Sequence, residues 1–188
     1  MLLLRKKLNE FSSFSDRCFK EIEKTVQIET LKEKDYFSRT GDLAKHLCLV
    51  QSGILRIFFL DENGQEWNKH FMQVGDFVAA SVAPDKPAIT NIQALSETHL
   101  IKLPLAELKL LAINYPTIEA FIQKLSFSYL SQKQDREISL LSNQAMQNYL
   151  DFQSKFPMLE NKISHYHIAS YLGITPIQLS RLRKKLQQ

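Results

Sequence analysis

The chain has 188 residues, 44% of them hydrophobic and 23% charged, and its 24 Lys and Arg against 20 Asp and Glu give a formal charge of +4. These are the proportions of an ordinary soluble protein with a sizeable core, divided into one larger and one smaller domain. The two cysteines, Cys18 and Cys48, stand far apart without a CxxC partner, which excludes a disulfide framework and a zinc or iron–sulfur site and leaves both as buried or half-buried side chains.

Met1-Leu-Leu-Leu-Arg-Lys-Lys carries too short an apolar run for a signal peptide or membrane span, and the charges follow it rather than precede it. A cytoplasmic protein with no membrane partner is expected. Leu3, Leu4, Leu8, Phe11 and Phe14 recur at helical spacing, and Ser15-Asp16 opens a second short helix through Cys18, Phe19 and Ile22. Both helices should clamp onto a β body.

Gly41, Gly53, Gly64 and Gly75 then follow at intervals of 12, 11 and 11 positions. Turn signals at that interval, between β-branched and aromatic stretches, indicate short antiparallel strands in a sandwich or barrel. Strands are expected at His46 to Gln51, Ile54 to Leu60, Glu66 to Met72, Asn91 to Leu95 and Thr98 to Leu103, with Asp61-Glu-Asn-Gly64 as a hairpin turn. A helix follows from about Pro104 to Ile113.

Tyr115-Pro116-Thr117 opens a longer helix to about Leu140, with Ile118, Phe121, Ile122, Leu125 and Tyr129 on one stripe. The stripe suits a helix lying on its own domain, and it also suits helix pairing between two subunits. The second reading, a two-fold helix pair, is favoured. Ser142-Asn143 should cap a further helix, Gln144 to Phe156, carrying Met146, Tyr149, Leu150 and Phe152 inward, and Pro157 should end it.

The last segment carries the strongest signal. Ile168, Ala169 and Leu172 mark a helix that Gly173 can stop in the left-handed conformation, and Thr175-Pro176 restarts a second one as N-cap and first helical residue. Leu179, Leu182 and Leu186 line one side of that second helix. Ile177, Arg181 and Lys184 lie opposite, with Gln178, Ser180 and Lys185 on the flanks.

Residues 161–188 hold five cations (Lys162, Arg181, Arg183, Lys184, Lys185) and no acid, which leaves 19 basic and 20 acidic residues in the remainder, a net −1. A near-neutral body with a concentrated basic end is the electrostatic footprint of a module that binds phosphates of double-stranded DNA. A small helical hairpin docking a protein partner remains the alternative.

This order of parts resembles the Crp/Fnr family of bacterial transcription regulators over essentially the whole chain. The resemblance rests on Val50-Gln-Ser-Gly53-Ile-Leu-Arg56, Asp61-Glu-Asn-Gly64, Val74-Gly75-Asp76-Phe77 and, above all, Ile168-Ala-Ser-Tyr-Leu-Gly-Ile-Thr-Pro176 with Leu179-Ser-Arg181. It implies an α+β architecture: a jelly-roll (double-stranded β-helix) sensor domain over residues 1–114, a dimerisation helix over 115–141 and a helix-turn-helix domain over 142–188. It further implies a homodimer, DNA binding that responds to a small-molecule effector, and RNA polymerase as a further partner. No enzymatic activity, cofactor or metal is expected.

Three departures modify what the resemblance implies. The family's cyclic-nucleotide cassette places a glutamate shortly after Gly-Asp-Phe and an arginine further on. Here Ala79-Ala80 follow Val78, and no arginine occurs from Ala79 to Ala94, where Lys86 is the only cation. Lysine cannot reproduce the bidentate guanidinium clamp on a phosphate, so cyclic AMP and cyclic GMP are disfavoured as effectors. Phe77, Val78, Ser81 and Thr90 are the positions matched to the pocket.

In the second helix Arg181 matches the family's base-reading arginine, while Ile177 replaces a frequent glutamate and can touch a thymine methyl instead. Arg181 and Gln178 are expected to read bases, Thr175 and Ser180 to position phosphates or bases, and Lys184 and Lys185 to add sequence-independent affinity. The third departure is that the sequence ends at Gln188, directly after this helix, so no β-hairpin wing is expected.

A jelly-roll also carries cupin metal enzymes, but these need a His-x-His pair in the β region, and the only such pair is His165 and His167. His165 is read as an end cap or phosphate contact. His46, His70 and His99 lack the spacing of a metal site and give no support for haem. Ser126, Ser128, Ser131 and Asp135 have no histidine nearby and no nucleophile elbow. Trp67 reads as core or edge packing.

Overall fold

The computed structural model describes residues 1–81 and 85–186. Helices α1 (Leu2–Phe11) and α2 (Asp16–Thr25) open the chain, and Ser15 starts α2 by accepting the Cys18 N–H on its side chain. Eight strands follow among the described residues: β1 (Gln27–Leu31), β2 (Tyr36–Ser38), β3 (His46–Ser52), β4 (Leu55–Leu60), β5 (Glu66–Met72), β6 (Phe77–Ala79), β7 (Asn91–Ala94) and β8 (Thr98–Pro104). Five helices complete it: α3 (Leu105–Asn114), α4 (Pro116–Ser142), α5 (Ala145–Lys155), α6 (His165–Leu172) and α7 (Pro176–Leu186).

The chain divides into two compact units. One comprises Met1–Ile57 and Phe71–Tyr129, the other Phe58–His70 and Leu130–Gln188. This differs from the three-part division expected from sequence, because the boundary falls inside α4 and the β4–β5 hairpin tip groups with the C-terminal helices.

The strands form two four-stranded sheets ordered β1-β8-β3-β6 and β2-β7-β4-β5, the order of a jelly-roll β-sandwich. The sheet β1-β8-β3-β6 is covered on both faces. Leu47, Leu49, Ile101 and Leu103 face a layer built from Leu4, Leu8, Phe14, Phe19, Ile22, Leu108, Ile118 and Phe121. Their alternate neighbours Cys48, Val50, Val78 and Leu100 face Leu55, Ile57, Ile92 and Ala94 inside the sandwich. Alternation of side chains along each strand thus feeds two cores at once. Gly53, at φ +87°, is required where the chain turns, since a Cβ there would lie 2.3 Å from Thr98 Oγ1 and 2.4 Å from the Glu97 carbonyl oxygen.

The expected dimer stripe is corrected by this packing. Ile118 and Phe121 are buried at 0% and 1% exposure in the helical core layer, and Ile122 and Leu125 pack against it. Helical periodicity identified the right face, but that face meets its own domain. The expected cap at Ser142-Asn143 is also corrected. Ser142 ends α4, its hydroxyl donating back to the Ile138 carbonyl at 2.7 Å, and α5 begins at Ala145 after Gln144, which makes no side-chain cap.

In the second unit the hairpin turn is organised by Asp61. Its Oδ1 accepts from Asn63 and Gln65 backbone N–H groups at 2.9 Å each, and its Oδ2 accepts from Trp67 Nε1 at 3.0 Å. The core of this unit is aromatic: Phe152, Phe156 and Tyr171 lie with ring centroids 5.4 to 5.9 Å apart, and His70 stacks edge-on against Phe156. The Arg136 guanidinium sits 4.0 Å from the Tyr171 ring and donates to the Tyr171 carbonyl.

Candidate nucleic-acid interface

Helices α6 and α7 meet across a three-residue turn. Ser164 caps α6 by accepting from the Tyr166 N–H, so His165 is the first helical residue and not the cap. Gly173 closes α6 in the left-handed region at φ 69°, ψ 27°, as its position in the sequence requires. Thr175 and Gln178 then form a reciprocal capping box. The Gln178 N–H donates to Thr175 Oγ1 at 3.2 Å, and the Thr175 N–H donates to Gln178 Oε1 at 2.8 Å. Two N–H groups at the start of α7 are thus satisfied by its own side chains.

Ile168, Ala169 and Leu172 of α6 and Leu179 of α7 are buried together. This leaves Thr175, Ile177, Gln178, Ser180, Arg181, Lys184 and Lys185 exposed on α7, with Ile177 at 66%. Every residue expected to face DNA thus lies on the exposed side. Two of them carry altered duties: Thr175 and Gln178 hold the first turn, and a Gln178 Oε1 engaged there is not free for the bidentate pairing that adenine needs.

Sequence reasoning missed the polar framework beneath this surface. Glu160, in the turn after α5, accepts from Tyr149 Oη at 2.5 Å and from Gln153 Nε2 at 3.0 Å, and pairs with Arg183 Nε at 2.8 Å. Burial acts to raise the Glu160 carboxyl, but hydrogen bonds from Tyr149 and Gln153 and the Arg183 charge outweigh it and hold it below the ordinary range. The same burial and the Glu160 partner push the Tyr149 phenol up to about 12.

On the other side of α6, the Ser170 hydroxyl accepts from the Asn68 N–H and donates to the Glu66 carbonyl, both at 2.9 Å. Asn68 Nδ2 donates to the His167 carbonyl at 3.2 Å, while its Oδ1 is buried with no hydrogen-bond partner. These contacts span 99 to 104 positions of sequence, and nothing in the local pattern announces them.

The four pocket positions do not share one face of the sheet. Phe77 lies on the helix-facing side of β6, with its ring 6.2 Å from Phe11 and 5.3 Å from Phe121. Val78, one residue on, is buried inside the sandwich, and Ser81 and Thr90 are half-buried. Phe77 is thus corrected from pocket wall to helix anchor, by the alternation that sends neighbouring strand residues to opposite faces.

Burial pushes the Cys48 thiol well above its ordinary range, as an inert core cysteine requires. Among the described residues no group of three or more His, Cys, Asp or Glu gathers to hold a metal, and no helix is long and apolar enough to cross a membrane.

With this geometry in place, the chain can be set beside known proteins. Residues 28–115 match the family model of the cyclic nucleotide-binding domain. The transcriptional activator protein Anr of Pseudomonas protegens is 23% identical over 169 residues, covering 84% of this chain and 69% of that protein. Among solved structures, FixK2 from Bradyrhizobium japonicum superposes with TM-score 0.76 at 17% identity, over 86% of this chain and 84% of its own. A Crp/Fnr-family regulator from Eubacterium rectale gives TM-score 0.72 at 19% identity, over 93% and 84%. Residues 28–115 are thus a domain of the cyclic nucleotide-binding type. Over most of its length the chain is similar in sequence to the activator Anr, and in fold to FixK2 and the Eubacterium rectale regulator.

Proposed function

We propose that this protein is a sequence-specific, homodimeric transcription regulator that inserts α7 into the major groove of double-stranded DNA. The observation that carries the reading is the division of α7 into a buried Leu179 side and an exposed side bearing Ile177, Ser180, Arg181, Lys184 and Lys185. Arg181 is placed to take guanine O6 and N7, Ile177 to meet a thymine methyl, and the two lysines to neutralise phosphates. Ser180 lies between them for a phosphate or base contact. A cytoplasmic site of action and RNA polymerase as a further partner accord with this reading.

For the second copy, the reading takes α4 as the meeting surface. With the Ile118 side buried, its exposed apolar residues Phe127, Leu130, Ile138, Leu140 and Leu141 are 70%, 52%, 55%, 47% and 82% exposed. Phe127, Gln134 and Leu141 repeat at the seven-residue interval of paired helices. Side chains of this size left open on a helix of 27 residues fit a two-fold helix pair, which supplies the half-site spacing that a major-groove reader needs.

The sensor pocket is read as degenerate for cyclic nucleotides. Its cassette lacks the carboxylate and the arginine, Phe77 is taken up by the helical layer, and Lys86 is exposed. The residues present do not fit a cyclic phosphate, so an effector, if one acts, has other chemistry. A protein-docking role for α6 and α7 is the second reading, but exposed cations on α7 without a carboxylate among them favour a polyanion.

Selection of bound duplexes from a random pool, with and without cyclic AMP, tests the proposal. Recovery of a two-fold symmetric motif unchanged by the nucleotide supports it. No enrichment of any sequence overturns the DNA reading.

A further inference from the structure

The basic count that marks the C-terminal segment treats its five cations alike, yet the structure separates one of them. Arg183 does not share the exposed face of α7. It follows Leu179 by one helical turn, its side chain is 32% exposed, and it points back onto Glu160, whose side chain is 16% exposed.

The guanidinium gives its Nε to Glu160 Oε1 at 2.8 Å and its NH1 to His165 Nδ1 at 3.3 Å. An arginine only donates, so His165 Nδ1 is the acceptor there. Glu160 is fixed in turn, since Tyr149 Oη and Gln153 Nε2 from α5 hold its two oxygens at 2.5 Å and 3.0 Å. Arg183 is thereby tied to the turn after α5 and to the first residue of α6 at once.

We infer that Glu160 and Arg183 are positioning residues for DNA readout, a brace that fixes the rotation of α7 about its axis and so decides which side chains meet the base edges. The inference rests on the DNA reading proposed above. It removes Arg183 from the set of phosphate contacts and leaves Lys162, Arg181, Lys184 and Lys185 as the cations open to the duplex. Readout is sensitive to such rotation because one residue along a helix turns the side chain by about 100°. A small rolling of α7 would move Arg181 off guanine while leaving the lysines, on flexible stems, able to reach phosphates.

The test has a sign that simple electrostatics cannot imitate. Removing a carboxylate beside a polyanion should strengthen binding to every duplex. The brace requires Glu160→Gln to weaken binding to the selected motif by roughly tenfold, the weight of one charge-assisted hydrogen bond, while affinity for random duplex stays equal or rises.

Arg183→Lys keeps the charge but loses the two-point fork, and it should show the same split with an unchanged salt slope. Affinity for random duplex serves as the folding control, and Arg183→Lys carries the test if Glu160→Gln does not fold. Glu160→Gln binding the motif as well as or better than the parent overturns the brace, and so does an Arg183→Ala that lowers the salt slope by about one. A parent protein that binds no motif above random DNA instead overturns the DNA reading, and this inference with it.

Discussion

Thr175 and Gln178 exchange hydrogen bonds across the first turn of α7, each side chain satisfying the other's backbone N–H. The cap holds the start of the helix with the chain's own side chains. Thr175→Val should cost about 1 kcal/mol of stability in urea unfolding, and Gln178→Glu, which keeps the acceptor, much less. Equal losses for both would mean that the turn is held by other contacts.

Arg181 and Lys184 should separate cleanly in DNA binding. Arg181→Ala is expected to cost about 1–3 kcal/mol on the selected motif and to relax one base pair, whereas Lys184→Ala should weaken all duplexes alike and reduce the salt slope by about one. Titrations of motif and random duplex over a range of salt read both effects. Loss of affinity shared equally by motif and random DNA in Arg181→Ala would remove its base-reading role.

Substitutions on the two sides of α4 should have opposite signatures. Phe127→Glu or Leu141→Glu, on the exposed side, should yield folded monomers in sedimentation equilibrium and weaken binding to a two-fold motif. Ile118→Ala, on the buried side, should lower stability by about 2–5 kcal/mol without changing association. Dimers persisting in both exposed-side variants would place the second copy elsewhere.

Burial, with Lys155 and Arg136 adding to it, pushes His70 from 6.5 down to about 3. The folded protein therefore holds a neutral ring where the unfolded chain would take up a proton. The resulting contribution to stability is complete above about pH 6.5 and is lost progressively as the pH falls from there toward 3. His70→Leu should unfold with a midpoint that varies less over this window, measured as urea midpoints at several pH values. A parent and variant with parallel profiles would remove His70 as the source.

Much of the fold was legible where one pattern served one purpose. The β5 range Glu66–Met72, the left-handed Gly173 and the Thr175-Pro176 restart follow directly from local chemistry. β1, with Gln27 and Ile28 exposed and Glu29 half-buried, and the three-residue β2 and β6 carry too little apolar alternation to be seen. Periodicity gave the Ile118 stripe but could not say whether its own domain or a second copy covered it. The supports of the interface were invisible for a different reason: Ser170 meets Asn68 at a separation of 102 positions, and Glu160 looks like any solvated acid until Tyr149 and Arg183 are folded against it.

The assignment of residues 58–70 to the unit of the C-terminal helices bears on how such a protein can be taken apart. A fragment cut at Leu130 would leave the Ser170 hydroxyl without the Asn68 and Glu66 backbone groups it bridges, and would leave Phe156 without the His70 ring. The C-terminal helices are not a cassette that can be lifted off by themselves. A chimera that exchanged only the last third between two chains of this fold would import a surface without its seat, whereas one that carried the β4–β5 tip along with it would transplant the whole.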